Sequence, residues 1–348
     1  MGEFEGSPLQ EMEIKKILAV RDDRMGDFIL TLPAIHALQE AYPRARLTVA
    51  VSPSVYPLAV RVLPGKNIFS HSGEFSKFYK FLKGEKFDLV AFFRPRLGTA
   101  LAAFLAGVPK RLGTGYRGYS FLYNLKHYEH RHTAERKEAE YSLSLLKPLD
   151  IEKSLRFETM GIDAKEAEEV AKKFGLDFSE NRVAVHPGSG GSSPNWPKKN
   201  YVELAKKLAE AGFSMLWTGT VSELEGINGC GVTLAGKTEI WDLACLYSRC
   251  KLTIASSTGP LHLASLVGTP VVGIYSPVRV NSPRRWGPLG PKAKTLVPPV
   301  SECDCKAGEC RRRNCMELLQ VEEVFQAALA SLSQAETPVS HRKTATQG

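Results

Sequence analysis

The strongest constraint in this chain is an alternation: short apolar, β-branched runs are each followed by a longer segment with helical spacing. Residues 14–21 (Ile-Lys-Lys-Ile-Leu-Ala-Val-Arg), 46–51 and 87–93 read as strands in the first half. Runs this short, bounded by polar or glycine-containing turns, suit strands better than helices. Phe28, Leu32, Ile35 and Leu38 then fall four, three and three residues apart, the spacing of an amphipathic helix. Pro33 inside it predicts a kink or a late start. The second half repeats the pattern more clearly. Strands are expected at 182–186, 213–218, 231–234, 251–255 and 270–275. Between them fall a helix with Tyr201, Leu204, Ala205, Leu208 and Ala211 on one face, stopped by Gly212, and helices over 240–248 and 261–268.

Strand, helix, strand order implies a parallel sheet with helices on both faces. Two such series predict an α/β chain of two Rossmann-like, doubly wound domains facing across a cleft, with ligand loops at the carboxyl ends of the strands. The first domain is placed at 14–160, the second at 161–318, a closing helix at 319–333, and flexible ends at 1–13 and 334–348. The length of 348 residues accommodates two domains. The leading residues are acidic and lack an apolar signal core, and no apolar run is long enough to span a bilayer, so the cytoplasm is the expected compartment.

A formal charge of +9 favours acidic partners: nucleic acid, phosphorylated sugars or an anionic membrane face. No helix-turn-helix, zinc-finger or RNA-recognition signature accompanies the charge, so nucleic acid is not an expected partner. Of the 7 cysteines, Cys303, Cys305, Cys310 and Cys315 cluster near the end. Their Cys-x-Cys-x4-Cys-x4-Cys spacing differs from paired Cys-x2-Cys zinc knuckles, and a cytosolic chain of this size is not expected to carry a disulfide framework. Packing as free thiols and a metal or redox role both stay open.

Three loops, each at the carboxyl end of an expected strand, hold the candidate chemistry. In Ser256-Ser257-Thr258-Gly259-Pro260-Leu261-His262 a strand ends in small residues and turns directly into a helix. The first N–H groups of a helix are unpaired and its dipole is positive there, which suits an anion. Gly259 allows close approach, Thr258 can cap the helix or donate its hydroxyl, and His262 reads equally as a ligand contact or a core histidine. An ordinary capped helix start is the alternative. In Arg24-Met25-Gly26-Asp27 the helix terminus favours the charged carboxylate of Asp27, which reads as a general base or a helix cap. In the third loop, Gly188, Ser189, Gly190 and Gly191 form either a backbone nest for phosphate or a plain turn. Trp196 either covers a ring or is core. Lys198 and Lys199 either neutralise a diphosphate or are solvated. Beyond the last strand, Ser276 can line a nucleotide pocket, and Arg279, Arg284, Arg285 and Trp286 mix charge with an aromatic plane. The segment 110–140, rich in Gly, Tyr, His and Arg and including Arg111 and Arg117, is either a solvated basic loop or a surface that grips an acidic acceptor.

These motifs, in order, resemble the ADP-heptose:lipopolysaccharide heptosyltransferase family (glycosyltransferase family 9). The resemblance runs from Ile17-Leu18-Ala19-Val20-Arg21-Asp22-Asp23-Arg24-Met25-Gly26-Asp27 through His186-Pro187-Gly188-Ser189 with Trp196-Pro197 to Thr258-Gly259-Pro260-Leu261-His262-Leu263-Ala264 and Gly268-Thr269-Pro270, and covers residues 14–330. It implies a GT-B fold and inverting transfer of heptose from ADP-heptose to the lipopolysaccharide inner core, the Kdo-lipid A region, with no cofactor and no essential metal. Another nucleotide sugar, or a non-catalytic nucleotide-sugar-binding protein, is the alternative. The base falls on Asp27. Donor contacts fall on Gly188, Ser189, Trp196, Lys198, Thr258, Gly259, His262 and Ser276, and acceptor contacts on Arg24, Arg111 and Arg117. The implied partners are the nucleotide sugar, a lipid-linked saccharide and, peripherally, the cytoplasmic face of the inner membrane. Four positions depart from the family pattern: Ser257 stands where Asp is frequent, Pro194 where Lys is frequent, and Ser276 and Val278 where Gly and Thr are frequent.

Overall fold

The computed structural model describes residues 13–178, 181–227, 230–305 and 315–336. Strands β1 (Lys16–Arg21), β2 (Arg46–Val51), β3 (Asn67–Ser70), β4 (Leu89–Phe92), β5 (Lys110–Thr114) and β6 (Leu125–His127) form one sheet in the order β3-β2-β1-β4-β5-β6. Strands β7 (Arg182–His186), β8 (Ser214–Trp217), β9 (Val232–Thr233), β10 (Leu252–Ser256), β11 (Val271–Ile274) and β12 (Ala293–Leu296) form a second, in the order β12-β11-β10-β7-β8-β9. Every neighbouring pair is parallel. Counted from its own first strand, the second sheet has the same order as the first, so one doubly wound unit is built twice, as the alternation predicts. In each unit the first strand is paired on both sides, β1 by β2 and β4, and β7 by β8 and β10. Strand order reverses there, and a crevice opens beyond the carboxyl ends of those strands.

The helices are α1 (Met25–Ala41), α2 (Tyr56–Val62), α3 (Phe75–Glu85), α4 (Leu97–Leu105), α5 (Glu138–Ser144), α6 (Ala164–Lys173), α7 (Lys198–Glu210), α8 (Val221–Leu224), α9 (Ile240–Arg249), α10 (Gly259–Leu266), α11 (Pro283–Trp286) and α12 (Val321–Glu336). None of the described helices is long and apolar enough to cross a membrane. Helix α12 packs on α7 and against β10, β11 and β12, so it closes the second unit.

Helix α1 departs from its expected amphipathic character. It is buried on nearly every face from Phe28 to Leu38, because α5 and α10 cover what would otherwise be its solvent side. A helix that is apolar all round is stable only when it is enclosed in this way. Pro33 does not delay it: the helix starts at Met25, eight residues earlier. The same apolar cluster includes Phe28 and Ile35 of α1 and Leu261 and Leu263 of α10, so the core is continuous between the two units.

The segment 110–140, expected as a loop or gripping surface, carries β5 and β6 at the edge of the first sheet. Its composition hides them, since Lys-Arg-Leu-Gly-Thr is a weak strand sequence. Packing explains the glycine. A Cβ on Gly113 would lie 2.6 Å from the Tyr123 ring, which is buried and tilted against Phe92 with ring centroids 5.3 Å apart. Gly113→Ala should therefore cost about 1–3 kcal/mol as overpacking. Urea unfolding of variant and parent checks this; equal midpoints would show that the ring has room to give.

Candidate active site

The site grows from the ends of β1 and β10. Beyond β1, Arg24 is the N-cap of α1, and Asp27 sits in the first turn of that helix. Beyond β10, Thr258 is the N-cap of α10; its side chain makes no capping bond, which leaves the hydroxyl for a ligand. The two helix N-termini meet head to head. A Cβ on Gly26 would lie 2.9 Å from His262 Cδ2 and 3.5 Å from Gly259 Cα, and one on Gly259 would lie 2.8 Å from Met25 Cε and 3.4 Å from the Gly26 nitrogen. Only two glycines let these backbones approach so closely. Two positive helix ends directed at one space make a site for negative charge.

Three cavities adjoin there. A cleft of about 340 Å³ lies between the units, lined by Arg24, Gly26, Asp27, Ser192, Ser193, Ser257, Thr258, Gly259, His262, Val280, Asn281, Arg285 and Trp286. A pocket of about 410 Å³ continues into the second unit past Arg24, Ser192, Thr258 and Gly259, and adds His186, Ser189, Gly190, Thr220, Glu223, Thr238 and Leu243. A cavity of about 650 Å³ opens on the first unit and shares Asp27, Val280, Arg285 and Trp286 with the cleft. It adds Asp23, Arg94, Tyr116, Arg117, His130, Arg131 and His132. Asp27 thus borders both the central cleft and the first-unit cavity.

A buried charge network holds Asp27. Arg21 Nη2 donates to Asp27 Oδ1 at 2.5 Å, its Nη1 donates to the Phe93 carbonyl at 3.0 Å, and its Nε lies 3.0 Å from Asp23. Burial works against the Arg21 charge, but Asp23, Asp27 and Glu138 outweigh it and raise its pKa. Burial raises Asp23 to about 6, with Arg21 opposing and Asp27 adding to the rise. Glu138, on α5, receives Arg131 at 3.1 Å and, from the second unit, Arg285 Nε and Nη2 at 3.0 and 2.9 Å. Burial disfavours its charge, yet Arg131, Arg21 and Arg285 together hold its pKa below the usual glutamate value. An ion pair between the units is therefore linked through Glu138 and Arg21 to Asp27. Burial, with Lys137 nearby, pushes His262 down to about 4, so its imidazole is neutral at pH 7, and its Nδ1 has no hydrogen-bond partner among the described residues.

The structure brings together Arg24, Asp27, Thr258, Gly259 and His262 at the cleft, with Ser189 in the second-unit pocket and Arg117 in the first-unit cavity. It places five other expected residues elsewhere or behind the surface. Trp196 is core: its ring is buried against Tyr201, and Nε1 donates to the Leu319 carbonyl at 2.9 Å. Lys198 Nζ donates to the carbonyls of Ser222 and Glu225 at 3.1 and 2.8 Å, fastening the end of α8. Ser276 is fully buried behind Ser193, with their hydroxyls 3.3 Å apart. Arg111 turns away from the cavities and donates through Nε to the Leu122 carbonyl at 2.8 Å, over the Phe104 ring. Gly188 lies beneath Glu223, whose carboxyl carbon stands where a Cβ would be, and the neighbouring Gly190 N–H donates to Glu223 Oε1 at 3.0 Å. The glycines of that loop thus seat a carboxylate.

Glu223 is the residue that sequence reading missed. Its signal was present, since Thr220-Val221-Ser222-Glu223 is a capping box that opens α8. Glu138 carried no local signal, because its partners are brought from residues 21, 131 and 285 only by the fold. Val278 packs with Cys303, Cys305 and Cys315, and the Cys303 backbone pairs with Pro277 and Arg279, which braces the loop carrying Val280 and Asn281 to the cleft. Cys310 lies outside the described residues. Among the described residues no three His, Cys, Asp or Glu side chains gather as a metal site.

The model of glycosyltransferase family 9 (heptosyltransferase) matches residues 75–317. A putative glycosyltransferase of Haemophilus influenzae is 28% identical over 350 residues, covering 92% of this chain and 96% of that protein. Lipopolysaccharide heptosyltransferase 2 of Escherichia coli is 25% identical over 309 residues, covering 81% of this chain and 87% of that protein. Among solved structures, the E. coli ADP-heptose lipopolysaccharide heptosyltransferase II superposes with a TM-score of 0.77 at 22% identity, over 92% of this chain and all (100%) of that one. The fold matches the GT-B expectation. With two facing doubly wound units, an acid-bearing cleft between them and a family match over most of its length, the chain belongs to glycosyltransferase family 9, the heptosyltransferases.

Proposed function

We propose that this glycosyltransferase moves heptose from ADP-heptose to the inner core of lipopolysaccharide, the Kdo-lipid A region, at the cytoplasmic face of the inner membrane. One observation carries the reading: the Asp27 carboxylate stands where the central cleft and the first-unit cavity join, across from the Thr258 turn. The ADP half of the donor occupies the second-unit pocket, and the diphosphate lies between the facing ends of α1 and α10. Arg24, exposed at the junction and without an ion pair among the described residues, supplies positive charge there. Glu223 Oε1, which accepts one hydrogen bond from the Gly190 N–H, accepts a second from a ribose hydroxyl. His262, neutral and buried, donates a hydrogen bond rather than a charge.

The acceptor sugar enters from the first-unit cavity, where Arg94, Arg117, His130 and His132 favour an anionic saccharide. Its hydroxyl hydrogen-bonds to Asp27, which takes the proton as the oxygen attacks the anomeric carbon from the side opposite the diphosphate. Negative charge developing on the leaving diphosphate is met by the α10 amides and the Thr258 hydroxyl. Arg21 holds the carboxylate in register for that approach. Ser257 and Pro194 favour a second reading of the donor alone. Both stand at or beside the cleft, in place of residues whose side chains would reach toward the sugar and diphosphate, so a different nucleotide sugar remains the competing substrate.

Two measurements test this. Asp27→Asn should lower kcat for transfer by about 10²–10⁴ while ADP affinity stays within a few-fold of the parent, read by product formation and calorimetry; normal turnover by that variant would remove Asp27 from the chemistry. ADP should raise the melting temperature more than UDP or GDP at equal concentration, with about 2.7 kcal/mol of stabilisation at a hundredfold excess over Kd. A panel of nucleotide sugars then separates ADP-heptose from other donors, and selective stabilisation by UDP or GDP would reject the adenine reading.

A further inference from the structure

We propose that the outer face of α4, together with the turn at Ser120–Leu122, is a docking surface for an anionic lipid bilayer. Helix α4 has the sequence Leu-Gly-Thr-Ala-Leu-Ala-Ala-Phe-Leu. Its inner face, Thr99, Ala100, Ala102 and Ala103, is buried against the first unit. Its outer face is apolar as well: Leu97, Phe104 and Leu105 are 53%, 47% and 51% exposed. Phe121, in the adjoining turn, is 72% exposed. The Arg111 bonds to the Leu122 carbonyl and its position over Phe104 tie the turn to the helix, so these side chains form one patch. Apolar side chains grouped on a surface in this way mark an interaction site.

Charge identifies the occupant. Between Asp88 and Glu129 the sequence contains no carboxylate; Arg94 and Arg96 lie 3.5 and 3.6 Å from the buried Asp22, while Lys110, Arg117 and Lys126 have no ion pair among the described residues. Exposed leucine and phenylalanine in a segment of unpaired cations without carboxylates is the pattern of a surface that sits at the headgroup level of an anionic leaflet. A second copy of this chain is a poor occupant, because a two-fold contact would set this cationic segment against itself. Position agrees. Leu97 stands two residues after Pro95 and Phe121 four after Arg117, and Arg94, Pro95, Tyr116 and Arg117 line the first-unit cavity. The patch therefore borders the mouth through which the proposed acceptor enters. This inference rests on the reading of that acceptor as lipid-linked: the lipid stays in the leaflet while its sugars reach Asp27.

The test is co-sedimentation with vesicles of phosphatidylcholine, with and without phosphatidylglycerol. The parent chain should bind the anionic vesicles, lose binding as salt rises, and ignore pure phosphatidylcholine. The variant Leu97→Glu/Phe104→Glu/Phe121→Glu should bind the anionic vesicles at least about tenfold more weakly. Transfer to a delipidated, water-soluble acceptor should be equal in the two proteins. If the triple variant loses its near-ultraviolet circular dichroism, Phe121→Glu alone decides by the same binding assay. Parent-like binding by the variants, or no binding of the parent to anionic vesicles, overturns the proposal. So does a parent dimer in sedimentation velocity that the variants split, since the patch would then be a self-association face. Failure of the parent to transfer sugar to the soluble acceptor bears on the proposed function alone, because vesicle binding is read without turnover.

Discussion

Burying the Arg21 guanidinium at the carboxyl end of β1 is the interaction on which the geometry of this protein depends. An unpaired buried charge is costly enough that it does not persist, so the chain must bring partners to it. It brings them from three places: Asp23 in the loop, Asp27 in the first turn of α1, and Glu138 on α5. Satisfying one arginine therefore fixes the path of the loop, the start of α1 and the placement of α5. Glu138 in turn must be balanced, and it recruits Arg131 and Arg285. The cluster so assembled joins Arg21, Arg131 and Arg285 to Asp23, Asp27 and Glu138, with Arg94 3.7 Å from Asp23 at its edge, and Arg285 belongs to the other unit. Because Arg21 and Glu138 each face three opposite charges, removing one partner weakens the compensation of a buried charge without abolishing it.

The position of the cleft follows from the same economy of parts. A doubly wound unit opens a crevice where its strand order reverses, and this chain turns two such crevices toward each other. Each presents a helix N-terminus, equivalent to about half a positive charge. Without an anion the two ends repel weakly. An anion between them attracts both, and it would thereby stabilise the contact in which Gly26 and Gly259 meet. Binding of an anion there and contact between the two units would in this sense reinforce each other, and the Arg285–Glu138 pair links that contact to the network that holds Asp27.

Much of this was legible in the sequence because it depends on local pattern. Strands β1, β2, β4, β7, β8, β10 and β11 are compact apolar runs, and the turns after β1, β7 and β10 announce themselves through glycine, small residues and a polar N-cap. The residues that were misread all depend on what lies across the fold. Trp196 could face a ligand or the core, and the Leu319 carbonyl decided for the core. Lys198 looked free for a phosphate, but the unpaired carbonyls at the end of α8 lie within its reach. Arg111 shares its composition with Arg117, yet it sits on a strand that turns it toward α4, while Arg117 follows that strand into the cavity. Strands β5 and β6 were obscured because lysine, arginine, glycine and histidine break the apolar pattern, and the Tyr123 ring that covers Gly113 is placed there only by the fold.

The departures from the family pattern at Ser257 and Pro194 take on meaning once the cleft is seen whole. A carboxylate and an ammonium frequent in the family are both missing, and they would have carried opposite charges at or beside the same cleft. Losing both leaves its net charge unchanged. The two helix ends and Arg24 still supply positive charge at the cleft, whereas two directional hydrogen-bonding groups are gone. Affinity for a nucleoside diphosphate follows the field, and discrimination among sugars follows directional hydrogen bonds, because a site that lacks a partner for a hydroxyl cannot reject a sugar without that hydroxyl. On the proposed reading, the diphosphate would be met by the two helix ends and Arg24, and selection of the sugar would fall to Ser257, His262 and the backbone of the Thr258 turn, which line the cleft.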